Sequence, residues 1–434
     1  MLEKINITQK DFKVETLPHK NVHYTPIKFD DEYFNRGDKK IIYNNILDTN
    51  RELENQNILT FERPSPSREL HFNPHETNVG IVTCGGLCPG LNDVIRAITL
   101  CSLETYKVKN VYGFRFGYLG LTSEYGKHVI RLNHNMVDAI HEHGGTILSS
   151  SRGNQSIEDM VDTLVKFNIS ILFTIGGDGT QKGAMSICEE IKRRKLDISV
   201  VGIPKTIDND LSYIYRTFGF YTAVEEARKA INAAHIEAKG AQNGIGLVKL
   251  MGRHSGSIAA HSTLASGNAN ICLIPEIKFD MKLLCETIMN RFSNGKDHIV
   301  IVTAEGVGQE ELYRDSEKNY DASGNLKLMD IGVFLKKKIS TYLGEHKIPH
   351  TLKYIDPSYM IRSTLANAND SSFCLRLGNN AVHAGFAGKT NCLVGYWNQH
   401  FTLTPIKLAV DEKKIVNTGS SLWRAIEEIT LYNP

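Results

Sequence analysis

The stretch ISILFTIGGDGTQKGAMSICEEIKRRKLDISVVGIPK, residues 169–205, decides the fold class. Its first nine residues are an apolar run that closes on two glycines. GAMSICEEIKRRK (183–195) follows at helical spacing and ends in basic residues. Cations are favoured there because the helix C-terminus carries partial negative charge. DISVVGIPK (197–205) is apolar again. A strand, a glycine-rich turn, a helix and another strand make an α/β fold with a parallel sheet.

The same order recurs on either side. NVGIVTCGG (78–86), LNDVIRAITLCSL (91–103) and VKNVYGF (108–114) read as strand, helix and strand. A second α/β block runs through FYTAVEEARKAINAAHIEAK (220–239), IGLVKL (245–250), ANICLIPE (269–276) and HIVIVTAEG (298–306). YDASGN (320–325) is a turn signal. TLKYIDPSYMIR (351–362) leads into NNAVHAGFAGKTNCLVGYW (379–397), read as helix then strand. Residues 1–76 differ, with weak apolar periodicity and segments such as DDEYFNRGDKK. They form an extension, either an arm docked on the body or a disordered tail.

Composition excludes several classes. The 434 residues carry 50 Lys plus Arg against 48 Asp plus Glu, a formal charge of +2. That is no electrostatic footprint for nucleic acid or membranes. No apolar run approaches the roughly 20 residues of a membrane span. The opening MLEKINITQKDFKVE has no apolar signal core, and the closing LYNP is not a peroxisomal SKL. Eight cysteines include no CxxC pair. The expectation is a soluble cytoplasmic protein with reduced thiols. Lys192–Lys195 and Lys336–Lys338 read as solvated helix ends.

Three clusters at strand ends carry candidate chemistry. Gly85 and Gly86 begin GGLCPG, a turn where backbone can approach an anion at a helix N-terminus. It is neither G-x-G-x-x-G nor a P-loop, and a plain tight turn fits it as well. Gly176, Gly177, Asp178, Gly179 and Thr180 form the second cluster. A carboxylate among glycines at a phosphate site repels unless a cation intervenes. Asp178 is therefore a candidate Mg²⁺ ligand, or else a cap on the next helix. Two glycine-rich strand ends favour a nucleotide crevice at the sheet's carboxyl edge. Pro204 to Asp210, PKTIDND, is the third cluster. Asp208 and Asp210 beside Thr206 suit proton abstraction from a hydroxyl, though a polar turn explains the composition as well. Arg152, Arg253, Lys353 and Arg362 are candidate phosphate partners, and Glu305 a candidate sugar-hydroxyl acceptor.

Taken together, TCGGLCPGLN, SSSRG, GGDGT, PKTIDND, MGR, AEG and YIDPSYMIR resemble the 6-phosphofructokinases, over about residues 78–430. The wording is closest to a branch near the pyrophosphate-dependent enzymes that contains long ATP-using enzymes of parasitic protists. The resemblance implies two Rossmann-like three-layer α/β domains with the active site in the cleft. We assign residues 77–218 and 362–405 to a nucleotide domain, and 219–361 and 406–434 to a sugar-phosphate domain. The implied reaction is phosphoryl transfer from MgATP to the 1-hydroxyl of D-fructose 6-phosphate, the committed step of glycolysis. Asp208 then matches the catalytic base, with Thr206, Asp210 and Arg253 around the transferred group. Gly86, Arg152, Gly153, Gly177, Asp178, Gly179 and Thr180 match the ATP site, with Asp178 at the Mg²⁺. Thr206, Ile207, Asp208, Met251, Gly252, Arg253, Glu305, Lys353, Tyr359, Met360, Ile361 and Arg362 match the sugar-phosphate site. A homotetramer is implied, a homodimer being the alternative, and so is allosteric control.

The chain departs from the family pattern in two ways. ATP users carry glycine at the Gly179 position, whereas pyrophosphate users carry aspartate there. Lys205, however, is the pyrophosphate-type residue at its position. We weight Gly179, because a missing side chain makes the room ATP needs. Pyrophosphate is the alternative donor. The interface arginine of short bacterial enzymes is replaced by Gly244. Of two effector-site arginines only Arg96 remains, with Leu100 at the other position.

Overall fold

The computed structural model describes residues 7–18, 22–28, 30, 33–34, 37–46, 58–313, 319–320 and 326–431. Seven strands make the larger sheet: β1 (Asn78–Thr83), β2 (Asn110–Phe114), β3 (Val129–Leu132), β4 (Ile169–Gly176), β5 (Ser199–Pro204), β10 (Cys392–Trp397) and β11 (His400–Pro405). Their order is β11-β10-β5-β4-β1-β2-β3. Four strands make the smaller sheet: β6 (Gly244–Leu250), β7 (Ile271–Leu273), β8 (His298–Ala304) and β9 (Thr351–Ile355). Their order is β7-β8-β6-β9, all parallel.

Every residue of β1 and β5 is buried. That is why these strands are unbroken apolar runs: helices cover both faces of a parallel sheet. The larger sheet is nevertheless mixed. β3 joins β2 antiparallel, and β11 joins β10 antiparallel. The second hairpin turns through Asn398 and Gln399, both at positive φ, the backbone of a two-residue hairpin loop. Without an Asn-Gly or Asp-Gly signature, it gives no warning in the sequence.

Helices α1 (Leu91–Leu100) and α2 (Ile157–Lys166) precede α3 (Asp178–Arg193), which starts five residues before the apolar periodicity begins at Gly183. The cause is Gln181. Its buried amide donates to the carbonyls of Thr174, Gly176 and Ile203, tying the first helical turn to the ends of β4 and β5. By contrast α4 (Phe220–Lys239) spans the residues its periodicity marks. The described parts of the extension lie docked on the body. Residues 15–16 pair with 389–390, and Phe12, Ile41 and Phe61 form a small core that packs against Tyr213 and Trp397. The 320–325 turn lies, apart from Tyr320, outside the described residues. Helix Ile406–Val410 packs on α3 of the larger sheet, whereas helix Ser421–Ile429 packs on Ser257–Ser266 beside the smaller one.

Arg216 links the loop before α4 to the long helix Ala368–Phe386. It donates to Asp370, which is fully buried and also accepts from the Thr222 backbone and hydroxyl. The guanidinium stacks over Tyr221 and Phe373. Arg216→Ala leaves that carboxylate buried without its counter-ion, at a cost of about 3–5 kcal/mol. The denaturant midpoint falls accordingly, and an unchanged midpoint refutes the assignment.

Candidate active site

The larger sheet changes winding direction between β1 and β4, so the crevice lies at their carboxyl ends. The chain leaves β1 through Gly85 at φ +83°, a left-handed turn that glycine adopts without penalty. Lys205, just past β5, runs beneath this turn and donates to the Gly86 carbonyl at 2.7 Å. Burial depresses its pKa. A Cβ placed on Gly86 would stand 3.6 Å from an Arg152 nitrogen and 3.8 Å from an Arg362 nitrogen. Two guanidinium groups thus converge over a bare backbone, as an anion site requires. Gly153 follows Arg152 at φ +103°.

Gly177 is the N-cap of α3, so Asp178 and Gly179 occupy its first turn. Asp178 pairs with Lys182 at 3.2 Å and lies 3.9 Å from Lys413. A Cβ on Gly179 would meet nothing within 4 Å. The Thr180 carbonyl accepts from the Tyr118 hydroxyl at 2.6 Å, locking the turn.

The loop after β5 is stapled internally. Thr206 donates through its hydroxyl to Asp210 at 2.7 Å and accepts from the Asp208 N–H at 3.2 Å. The Thr217 hydroxyl closes the loop on the Thr206 carbonyl at 2.6 Å. Asp208 Oδ1 is buried with no hydrogen-bond partner. Burial, then the charges of Asp210 and Glu305, push its pKa up to about 8, against the opposing pull of Lys413 and Arg253. Burial also disfavours the Asp210 anion, but Lys413 and the Thr206 hydroxyl outweigh it and hold that carboxyl below the usual range. Two neighbouring carboxyls with separated pKa values are an arrangement that acid–base chemistry uses. Asp208 is the one placed to take a proton.

The facing wall comes from the smaller sheet. Gly252 sits at φ +129°, and a Cβ there would lie 2.4 Å from the Ser255 carbonyl, so only glycine fits. This bend presents Arg253, which donates to the Leu326 carbonyl. Glu305 follows β8, its N–H bonded to the Leu250 carbonyl at 2.9 Å. Burial raises its pKa, while Arg253, Lys249 and Arg362 pull it down. Arg362 stacks over the Tyr359 ring at 5.1 Å, and Tyr359 and Met360 are exposed. Ile207, Met251 and Ile361 are buried, so their side chains fill the core beneath the cleft rather than line it.

The structure does not bring Lys353 to this cleft. It stands in β9 opposite Gly246, four residues short of the end of β6, and pairs with Glu237. Glu237 lies 17 residues along α4 from Phe220, or about 25 Å from the helix start at 1.5 Å per residue. Lys249 is the lysine that reaches Glu305's surroundings, held by Asp330 at 3.0 Å and Asp356 at 2.8 Å. Neither Lys249 nor Lys413 stands in a motif that flags it. Among the described residues no group of three His, Cys, Asp or Glu side chains is built to hold a metal. A Mg²⁺ ligated mainly by substrate phosphates and water needs only one or two carboxylates. Asp178 fits that need, and an ammonium already stands between it and Asp210.

The phosphofructokinase family profile matches residues 78–385. The chain is 54% identical to an ATP-dependent 6-phosphofructokinase of Trypanoplasma borreli over 87% of its own length and 77% of the relative's. It is 47% identical to the enzyme of that description from Trypanosoma brucei brucei, over 98% and 88%. It is 50% identical to the one from Borreliella burgdorferi, over 84% and 83%. Among solved structures, a pyrophosphate-dependent phosphofructokinase from Marinobacter aquaeolei superposes at a TM-score of 0.66, with 20% identity, over 80% of this chain and 87% of that one. At that identity the likeness speaks for the fold alone. With a family match across most of the chain and such relatives along nearly all of it, the chain belongs to the phosphofructokinase family.

Proposed function

We propose that this chain transfers the γ-phosphoryl group of ATP to the 1-hydroxyl of D-fructose 6-phosphate, giving fructose 1,6-bisphosphate and ADP in glycolysis. One observation carries the reading. Asp208 holds an unpartnered carboxylate oxygen where the glycine-lined edge of one sheet faces the Arg253 and Glu305 edge of the other. Asp208 takes the proton from O1 as that oxygen attacks. Arg253 neutralises charge on the group in flight, and Thr206 and Asp210 hold the loop. Gly86, Arg152, Gly153 and the first turn of α3 receive the nucleotide phosphates. Glu305 accepts a sugar hydroxyl, and Arg362 with Tyr359 receives the 6-phosphate. A Mg²⁺ held by Asp178 and the donor phosphates would supply further charge neutralisation.

ATP is the donor in this reading. Gly179 leaves the space beside the helix N-terminus open, and Lys205 is engaged beneath the Gly86 turn. In a coupled assay with Mg²⁺ and fructose 6-phosphate, ATP supports turnover and pyrophosphate does not. Turnover with pyrophosphate alone overturns the donor assignment. No helix among the described residues is long and apolar enough to cross a membrane. A cytoplasmic homotetramer completes the proposal, and its mass in solution tests the second part.

A further inference from the structure

We infer that Lys413 is a phosphoryl-binding residue whose ammonium contacts the terminal phosphoryl group of the donor. The inference rests on the functional reading above and assigns that site a group outside every motif of the sequence. Lys413 lies between the two acidic loops of the cleft, 3.0 Å from Asp210 Oδ2 and 3.9 Å from Asp178 Oδ2. Asp178 marks the nucleotide side, while Asp208 and Asp210 mark the acceptor side. The transferring phosphoryl group must pass between them, and Lys413 stands at that junction.

Charge makes the need plain. Asp178, Asp208 and Asp210 bring carboxylates to a place that must admit a polyphosphate. Lys182, the other ammonium paired to Asp178, is more than half exposed. Lys413 is 38% exposed, so it keeps an open side while bound to the site. An ammonium has three donors on a flexible stem and can bind a phosphate oxygen without leaving its carboxylates.

The backbone carrying Lys413 is fixed to the catalytic loop. Lys413 bridges Leu211 in antiparallel fashion, and the Lys414 N–H donates to the Asp210 carbonyl at 3.0 Å. Lys414 Nζ donates to the carbonyls of Ile214 and Tyr215 at 2.6 and 3.1 Å. Two residues on, the Val416 N–H donates to Glu276 at 2.7 Å, and Glu276 also accepts from Gly256 beside the smaller sheet. The segment is a strap from the catalytic loop to the facing unit. It holds the lysine's base in place, with the partly exposed ammonium between the two aspartates.

The test compares ATP and ADP binding, each with Mg²⁺, by calorimetry on the full chain, alongside steady-state kinetics. Lys413→Met weakens ATP about 10-fold more than ADP, the size of a lost charge-assisted contact. It lowers kcat roughly 10²-fold while leaving the fructose 6-phosphate KM within about threefold. Lys413→Cys behaves alike, and aminoethylation of that thiol restores ATP affinity and turnover. The eight native cysteines are buried, so the new thiol is the accessible one. If the methionine variant does not fold, the cysteine variant before and after modification carries the test. Equal losses of ATP and ADP, an unchanged kcat, or no recovery on aminoethylation overturns the inference. Wild-type turnover separates the two readings. An inactive wild type sinks the functional reading, and the ATP-against-ADP comparison still judges Lys413. An active wild type matched by Lys413→Met sinks only the inference.

Discussion

Replacing Asp208 with Ala lowers turnover by ~10²–10⁴-fold, about 3–5 kcal/mol of barrier, with ATP and fructose 6-phosphate binding little changed. The size follows from what the side chain does. Most of the catalysis in phosphoryl transfer is positioning and charge neutralisation, and those groups stay in place. In the proposed reaction, what goes is the acceptor for the O1 proton. Removing the carboxylate also relieves a burial penalty, since its oxygen has no partner and its neighbours Asp210 and Glu305 are acidic. The variant therefore folds at least as well as the parent. The pH profile carries a second signature. A base must be ionised to act, and the Asp208 pKa lies at about 8. The wild-type kcat/KM accordingly falls as pH drops through that value, and the residual rate of the Ala variant lacks this limb. Undiminished turnover, or an acid limb that survives the substitution, would remove Asp208 from the mechanism.

Replacing Gly179 with Asp abolishes useful ATP turnover while leaving the apo protein as stable as before. A Cβ at this position meets no protein atom within 4 Å and the backbone needs no positive φ, so the side chain starts into open space. It sits in the first turn of α3, where an acidic residue is favoured by 0.3 to 1 kcal/mol at most, roughly. The cost falls on the ligand. A carboxylate about 4 Å from a phosphate charge, at an effective dielectric constant of ~20, costs about 4 kcal/mol, or roughly 10³-fold. The ATP KM and the apo melting temperature, measured together, check it. Retained ATP use would show that the open space beside Gly179 is not where the nucleotide's phosphates lie. A fallen melting temperature with normal KM would show the position to be structural.

Much of this was legible in the chain. The apolar runs at 78–86, 169–177 and 298–306 become β1, β4 and β8, because a strand buried on both faces leaves no polar alternation to confuse the reading. The 220–239 pattern becomes α4 residue for residue. The start of α3 was hidden, because Gln181 makes its bonds across two strand ends and looks polar in sequence. The antiparallel edge at Asn398–Gln399 was hidden because its turn lacks glycine.

The site divides in the same way. Gly85 and Gly252 work through backbone shape, at positive φ that few other residue types adopt, whereas Gly86 and Gly179 only leave space open; all four announce themselves as glycines just past strand ends. Asp208 and Asp210 are marked by the loop that holds them. Lys353 reads as a phosphate partner and Lys413 stands in no motif, and the structure reverses the two, because nothing local fixes where the tip of a long side chain lies. The paired register of β9 sets one beside Glu237, and the strap after Ile406–Val410 sets the other between two aspartates. The sequence by itself determined the α/β layers and the two glycine-lined turns, because hydrophobic period and glycine geometry are local. Only the tertiary structure decided which charges meet in the cleft, because that depends on chain segments more than 200 residues apart, Asp210 and Lys413 among them.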